Sequence, residues 1–176
     1  MSTHAFETFF ALVALAANGA TVGLIVVRVG ACRSPALAQI RNDLGRSALP
    51  MAFGVAAITM GGSLYFSEVA HFIPCSLCWL QRTVAYPVAV VLGIAALRRD
   101  RAVRVYVIPL VLVGTAISTY HWLLERYPTL ETNFCGINAT CSVPWFTKFG
   151  FITLAYMAFS SFTLIAALLA LPPREN

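Results

Sequence analysis

Cys75 and Cys78, in the run Pro74-Cys75-Ser76-Leu77-Cys78, are the sharpest chemical signal in the chain. Two thiols at this spacing at a helix start can close a disulfide and reopen it. Proline is favoured in the first helical turn, so Pro74 predicts that the pair opens a helix. The N-terminal end of a helix carries partial positive charge, which favours a thiolate, the species that exchanges disulfides. Arg82 follows four residues after Cys78 and seven after Cys75, so all three share one helix face. An arginine within a membrane span costs about 3 kcal/mol on insertion scales unless it snorkels or finds a partner. Its partner is the Cys78 thiolate, or the oxygen of a bound quinone, whose reduction builds negative charge. The bland alternative is an arginine that snorkels to the outer headgroups.

A second pair, Cys135 and Cys141, encloses Gly136 and Asn138 in a polar stretch from Glu125 to Lys148. His121 lies just ahead of that stretch, near the level expected for Arg82, and is either a site residue or an interfacial filler. His71 ranks below it, and His4 reads as an ordinary tail residue. Cys32 reads as a small residue near the membrane surface on the reducing side.

The elements that position these residues are membrane spans. Of 176 residues, 59% are hydrophobic and 11% charged, against about 25% charged in soluble domains. Thr8–Val27, Ser47–Ser67, Val105–Leu124 and Phe149–Pro173 run without a charge, and Trp79–Leu97 is broken only by Arg82. Each approaches or exceeds the roughly 20 residues that cross a bilayer core. A chain this short cannot bury five such helices on every side in water. The first span lacks the basic start of a signal peptide and is expected to stay.

Nine of the twelve Lys and Arg residues fall in connections of one parity: Arg28, Arg33, Arg41, Arg46, Arg98, Arg99, Arg101, Arg104 and Arg174. The positive-inside rule puts these in the cytoplasm and the N-terminus outside. The net charge of +5 is thereby explained without nucleic acid. Two spans separate the two cysteine pairs, so both lie on one face of the membrane, the oxidising one. Four thiols in two close pairs fit a disulfide relay. The rival readings are a structural staple across a short loop and a four-thiolate zinc site.

Cys75-Ser76-Leu77-Cys78-Trp79-Leu80-Gln81-Arg82 resembles the CxxC-x-x-x-Arg motif of the bacterial disulfide bond formation protein B (DsbB) family. The run His121-Trp122-Leu123-Leu124-Glu125-Arg126-Tyr127-Pro128, followed by Cys135, resembles that family's third-span exit. The likeness covers roughly Ala48 to Leu171. It implies that a soluble thioredoxin-fold oxidase, DsbA-like, attacks a Cys135–Cys141 disulfide through Cys135. Cys141 then attacks Cys75, and Cys78 is released against a quinone ring near Arg82, with His121 close by. The chain departs from the family pattern in its extra N-terminal span and in the five residues between Cys135 and Cys141.

The expected fold is an all-α integral membrane protein. An antiparallel four-helix transmembrane bundle (47–173) is joined by one additional N-terminal transmembrane helix with its cytoplasmic connection (1–46), and 174–176 form a cytoplasmic tail. The implied function is a membrane thiol:quinone oxidoreductase that uses ubiquinone or menaquinone. It would sit in the bacterial inner membrane with its cysteines facing the periplasm. The catalytic residues would be Cys75, Cys78, Cys135 and Cys141, the quinone-binding residues Arg82 and His121, and no metal is expected. The expected partners are the DsbA-like thiol oxidase, the quinone pool and the lipid bilayer. The alternatives are a vitamin K epoxide reductase-like quinone enzyme and a non-enzymatic scaffold with one structural disulfide.

Overall fold

The computed structural model describes residues 3–130, 135 and 140–171. The expected tail at 174–176 lies outside the described residues, as do Glu131, Gly136 and Asn138. The described residues form five α-helices: α1 (Thr3–Gly30), α2 (Pro35–Leu64), α3 (Ser76–Arg98), α4 (Arg104–Arg126) and α5 (Leu154–Leu169). The first four are long and apolar enough to cross a membrane, and the fifth is apolar but shorter. This is a multi-pass helical membrane protein. Its outer surface is studded with large apolar side chains such as Val22, Ile25, Ile94 and Leu112, which face lipid rather than water.

Two segments depart from the expected elements. The connection Arg28–Arg46, where Gly30, Pro35 and Gly45 predict breaks, is mostly helix. Only Ala31–Ser34 turn, Pro35 starts α2, and Gly45 is buried inside it. Hydropathy marks where a helix enters lipid, not where it begins, and Ala36, Leu37, Ala38 and Gln39 are strong helix formers. The block Phe149–Pro173 is helical only from Leu154. Before it, Lys148 bridges Ile152, and Phe149 and Gly150 take φ of 50° and 79°. Thr153 then caps α5, its hydroxyl accepting from the Tyr156 N–H at 3.3 Å.

α2 to α5 form the expected antiparallel bundle, closed by contact between α2 and α5. Without a hydrophobic drive between helices in lipid, close packing decides the association. One buried core holds Val88, Leu92, Val107, Val111, Phe162 and Ile165. Gly114 lets Phe162 in: a Cβ there would lie 2.7 Å from its ring. A second cluster gathers Cys75, Leu77, Leu124 and Cys141, with Cys78 and Cys135 against it. α1 packs on α5 and α2, adds Leu24 to the buried core, and lines the cavity described below with its inner face.

Candidate active site

Pro74 stands one residue ahead of the cap rather than inside the first turn. Cys75 is itself the N-cap of α3, with extended backbone (φ −73°, ψ 173°), and its sulfur accepts from the Cys78 N–H at 3.3 Å. A sulfur in a capping position faces the unpaired amides of the helix start, which stabilises negative charge there. Cys75 and Cys78 are both reduced, with their sulfurs 2.9 Å apart.

Cys75 lies just outside the spanning helix, and its thiol is held well below the ordinary range. The largest cause is the hydrogen bond from the Cys78 thiol. The hydrogen bond and charge of His121 and the Cys78 N–H act in the same direction, while burial opposes them.

His121, on α4, is buried. Its Nε2 lies 3.6 Å from the Cys75 sulfur and its Nδ1 3.0 Å from Gln81 Nε2. An amide nitrogen only donates, so Nδ1 accepts, and in the neutral ring the proton sits on Nε2, facing the sulfur. The same ring reaches the backbone of Cys141. His121 therefore stands between the two cysteine pairs.

Cys135 and Cys141 form a disulfide with Cα atoms 5.8 Å apart. Cys141 is 1% exposed, whereas Cys135 is partly exposed. With those two sulfurs bonded to each other, Cys75, Cys78 and His121 are the described residues whose ligand atoms still lie within 4.8 Å of one another. The loop is pinned against the α2–α3 connection by aromatic contact: Trp145 stacks on Phe72 at 4.9 Å and 2°, and its Nε1–H donates to the Ile73 carbonyl at 3.3 Å. On the other side, Arg126 donates to the Gly150 carbonyl at 2.8 Å and Trp122 to that of Phe151 at 2.9 Å.

Arg82 does share the cysteine side of α3, and its hydrogen-bond partner is Ser63 of α2. Nε donates to the Ser63 hydroxyl at 3.0 Å and Nη2 to the Ser63 carbonyl at 3.1 Å, while the guanidinium sits 5.3 Å over the Trp79 ring. This tether fixes the guanidinium against α2. Cys78, Gln81 and Arg82 line one end of a cavity of about 390 Å³, whose remaining walls are mainly apolar side chains of α1, α2 and α5.

Sequence reasoning missed Gln81 and Ser63. A glutamine within an apolar span is itself a signal, since polar groups in lipid need partners. Ser63 carries no such mark among the other small residues of its helix. His71 is exposed, at φ 56°, and does not line the cavity. Cys32 is exposed in the α1–α2 turn. His4, read as an ordinary tail residue, lies 3.2 Å from Lys148 Nζ.

The arrangement can accept a thiolate at an accessible disulfide, pass the exchange inward to a capped, activated cysteine, and present a further sulfur to a cavity. The family model described as "Disulfide bond formation protein DsbB" matches residues 45–171. "Disulfide bond formation protein C" of Bacillus subtilis is 42% identical over 123 residues, 69% of this chain and 89% of that protein. "Probable disulfide formation protein C 2" of Bacillus anthracis is 36% identical over 121 residues, 69% and 86% of the two chains. "Probable disulfide formation protein C" of Halalkalibacterium halodurans is 38% identical over 112 residues, 62% and 81%. No solved structure matches the chain significantly. The matched span contains both cysteine pairs and leaves α1 outside it, and the chain belongs to the DsbB family as a membrane disulfide oxidoreductase.

Proposed function

We propose that this protein reoxidises a soluble thioredoxin-fold dithiol oxidase on the extracytoplasmic side of a bacterial cell membrane and delivers the electrons to a membrane quinone. The observation that carries the reading is the division of labour between neighbouring sulfurs. Cys141 and Cys75 share one buried cluster with His121 between them, while Cys78 turns to the cavity beside Arg82. The cavity fits a quinone: its volume falls within the range of small-molecule sites, its walls are apolar, and a cation and a thiol meet at one end.

A partner thiolate attacks Cys135, the accessible sulfur, and Cys141 leaves as a thiolate. Cys141 attacks Cys75 of a Cys75–Cys78 disulfide, and Cys78 leaves as a thiolate near Arg82. The partner's second thiol displaces Cys135, freeing oxidised partner. Cys135 then attacks Cys141, restoring the loop disulfide and releasing Cys75 as a thiolate. Two electrons have moved from the partner to the Cys75–Cys78 pair. A membrane quinone supplies a sink for two electrons and two protons, and the Cys75–Cys78 disulfide re-forms as that sink fills. Throughout, the helix start and the His121 Nε2–H lower the cost of the Cys75 thiolate. Arg82, held by Ser63, offsets negative charge at the cavity end. Exchange runs outward to inward only if the final acceptor is more oxidising than the partner.

This reading is preferred to a vitamin K epoxide reductase-like enzyme and to a non-enzymatic scaffold because the family match spans both cysteine pairs in order. The test adds a membrane quinone to reduced protein in detergent and follows both pairs by thiol gel shift. Wild type should become oxidised, and Cys75→Ser or Cys78→Ser should abolish quinone reduction by the reduced partner. Wild-type rates in either variant would refute the assignment.

A further inference from the structure

We propose that α1 is a working wall of the acceptor site: its inner face, from Phe10 to Ala20, lines a channel for the isoprenoid tail of the quinone whose ring lies at Cys78 and Arg82. The inference rests on the quinone reading above and extends it to a helix that lies outside the family match.

α1 is fixed to the bundle at three depths. Near its start, Glu7 pairs with Lys148 at 2.9 Å, both side chains largely buried. Midway, Asn18 Nδ2 donates to the Tyr156 hydroxyl at 2.9 Å. At its end, Arg28 donates to the Ala170 carbonyl at 2.5 Å. The middle bond is the informative one, because an unpartnered amide in hydrocarbon is costly and so fixes the helix's rotation. Close approach to α2 is permitted by Gly62, where a Cβ would lie 2.7 Å from the Phe10 ring.

This fixed face is made of small residues where it lines the cavity. Ala14, Ala17 and Ala20 look across to Val55, Ile58 and Thr59 of α2. Ten residues of helix rise about 15 Å, so the apolar walls run along the helix axis, away from the polar end at Cys78, Gln81 and Arg82. At the far end Ala16 and Ala20 are exposed and so face the bilayer. A cavity with one reactive, cationic end and a long apolar run to the lipid has the shape of a prenylated quinone. A water-soluble acceptor would leave the apolar run empty, and a phospholipid would have no use for the thiol.

The test places full-length protein in nanodiscs and titrates a long-tailed and a tail-less quinone, reading binding by quenching of tryptophan fluorescence, since Trp145 lines the cavity. Filling the channel with Ala17→Phe should weaken the long-tailed quinone about tenfold, as overpacking does. The tail-less one should bind as in wild type. Ala20→Phe, at an exposed position near the mouth, is the second variant and should act in the same direction. A quinone carrying a photoreactive group on its tail should label the peptide 10–20. Equal effects on both quinones, no effect on either, or labelling confined to lipid or to other helices would overturn the role of α1. Wild-type protein that binds no quinone of any tail length would instead sink the acceptor reading itself.

Discussion

Replacing His121 by phenylalanine tests the activation of Cys75 directly. The substitution keeps the volume of a buried ring but removes the Nε2 donor 3.6 Å from the sulfur. A hydrogen bond to a charged group contributes about 1.5–3 kcal/mol, and 1.36 kcal/mol corresponds to one pH unit. The Cys75 titration should therefore move upward by about one to two pH units. It should not return fully to the ordinary thiol range, because the larger contribution, the hydrogen bond from Cys78, and the Cys78 N–H remain. In wild type the depressed value leaves Cys75 ionised at neutral pH, with reactivity lost only as pH falls through that value; in the variant the loss should begin nearer neutrality. The assay is the pH dependence of alkylation of Cys75 in reduced protein. The same change strands the Gln81 amide, which now faces a hydrocarbon ring, so thermal stability should fall by about 1–3 kcal/mol. His121→Gln, which keeps a donor, should recover part of the reactivity. An alkylation profile unchanged in His121→Phe would refute the role given to the imidazole, whatever happened to stability.

Three further outcomes are expected. Cys141→Ala should trap the partner on Cys135 as a long-lived mixed disulfide, seen on a non-reducing gel; capture on no residue would contradict the order of exchange. Arg82→Ala removes the cation tethered to Ser63 and should raise the apparent KM for quinone more than it changes exchange with the partner, with an unchanged KM counting against it. Asn18→Leu breaks the bond to Tyr156 and should lower stability by about 0.6 kcal/mol, the average for interhelical hydrogen bonds in membranes; a stability gain would show that the bond is dispensable.

Hydropathy alone located the apolar parts of the five helices, though not the starts of α2 and α5, because lipid demands long apolar runs, and CxxC and Arg82 announced the redox end of α3. The expected proximity of the two pairs followed from counting spans. What the chain could not announce was lateral arrangement. Gln81 and Ser63 matter through partners on α4 and α2 that are 40 and 19 residues distant, and no local pattern encodes such a pairing. Nor did hydropathy mark the π-helical turn at Tyr65–Val69 or the Lys148–Ile152 bridge before α5. α1 did carry a hint, in the alanines at 11, 14 and 17 with Asn18 beside them, since small residues and a lone amide mark helix contact surfaces in lipid.

The unequal exposure of the loop sulfurs has a consequence for leakage. Under the proposed relay a dissolved thiol meets Cys135 first, while Cys141 and Cys75 are sheathed by the bundle at 1% and 6% exposure. A conductor insulated in this way draws current only through its terminal. In that relay a stray reductant reaches Cys141 and Cys75 only by first exchanging with Cys135, so whatever governs access to that one sulfur governs the loss of oxidising power.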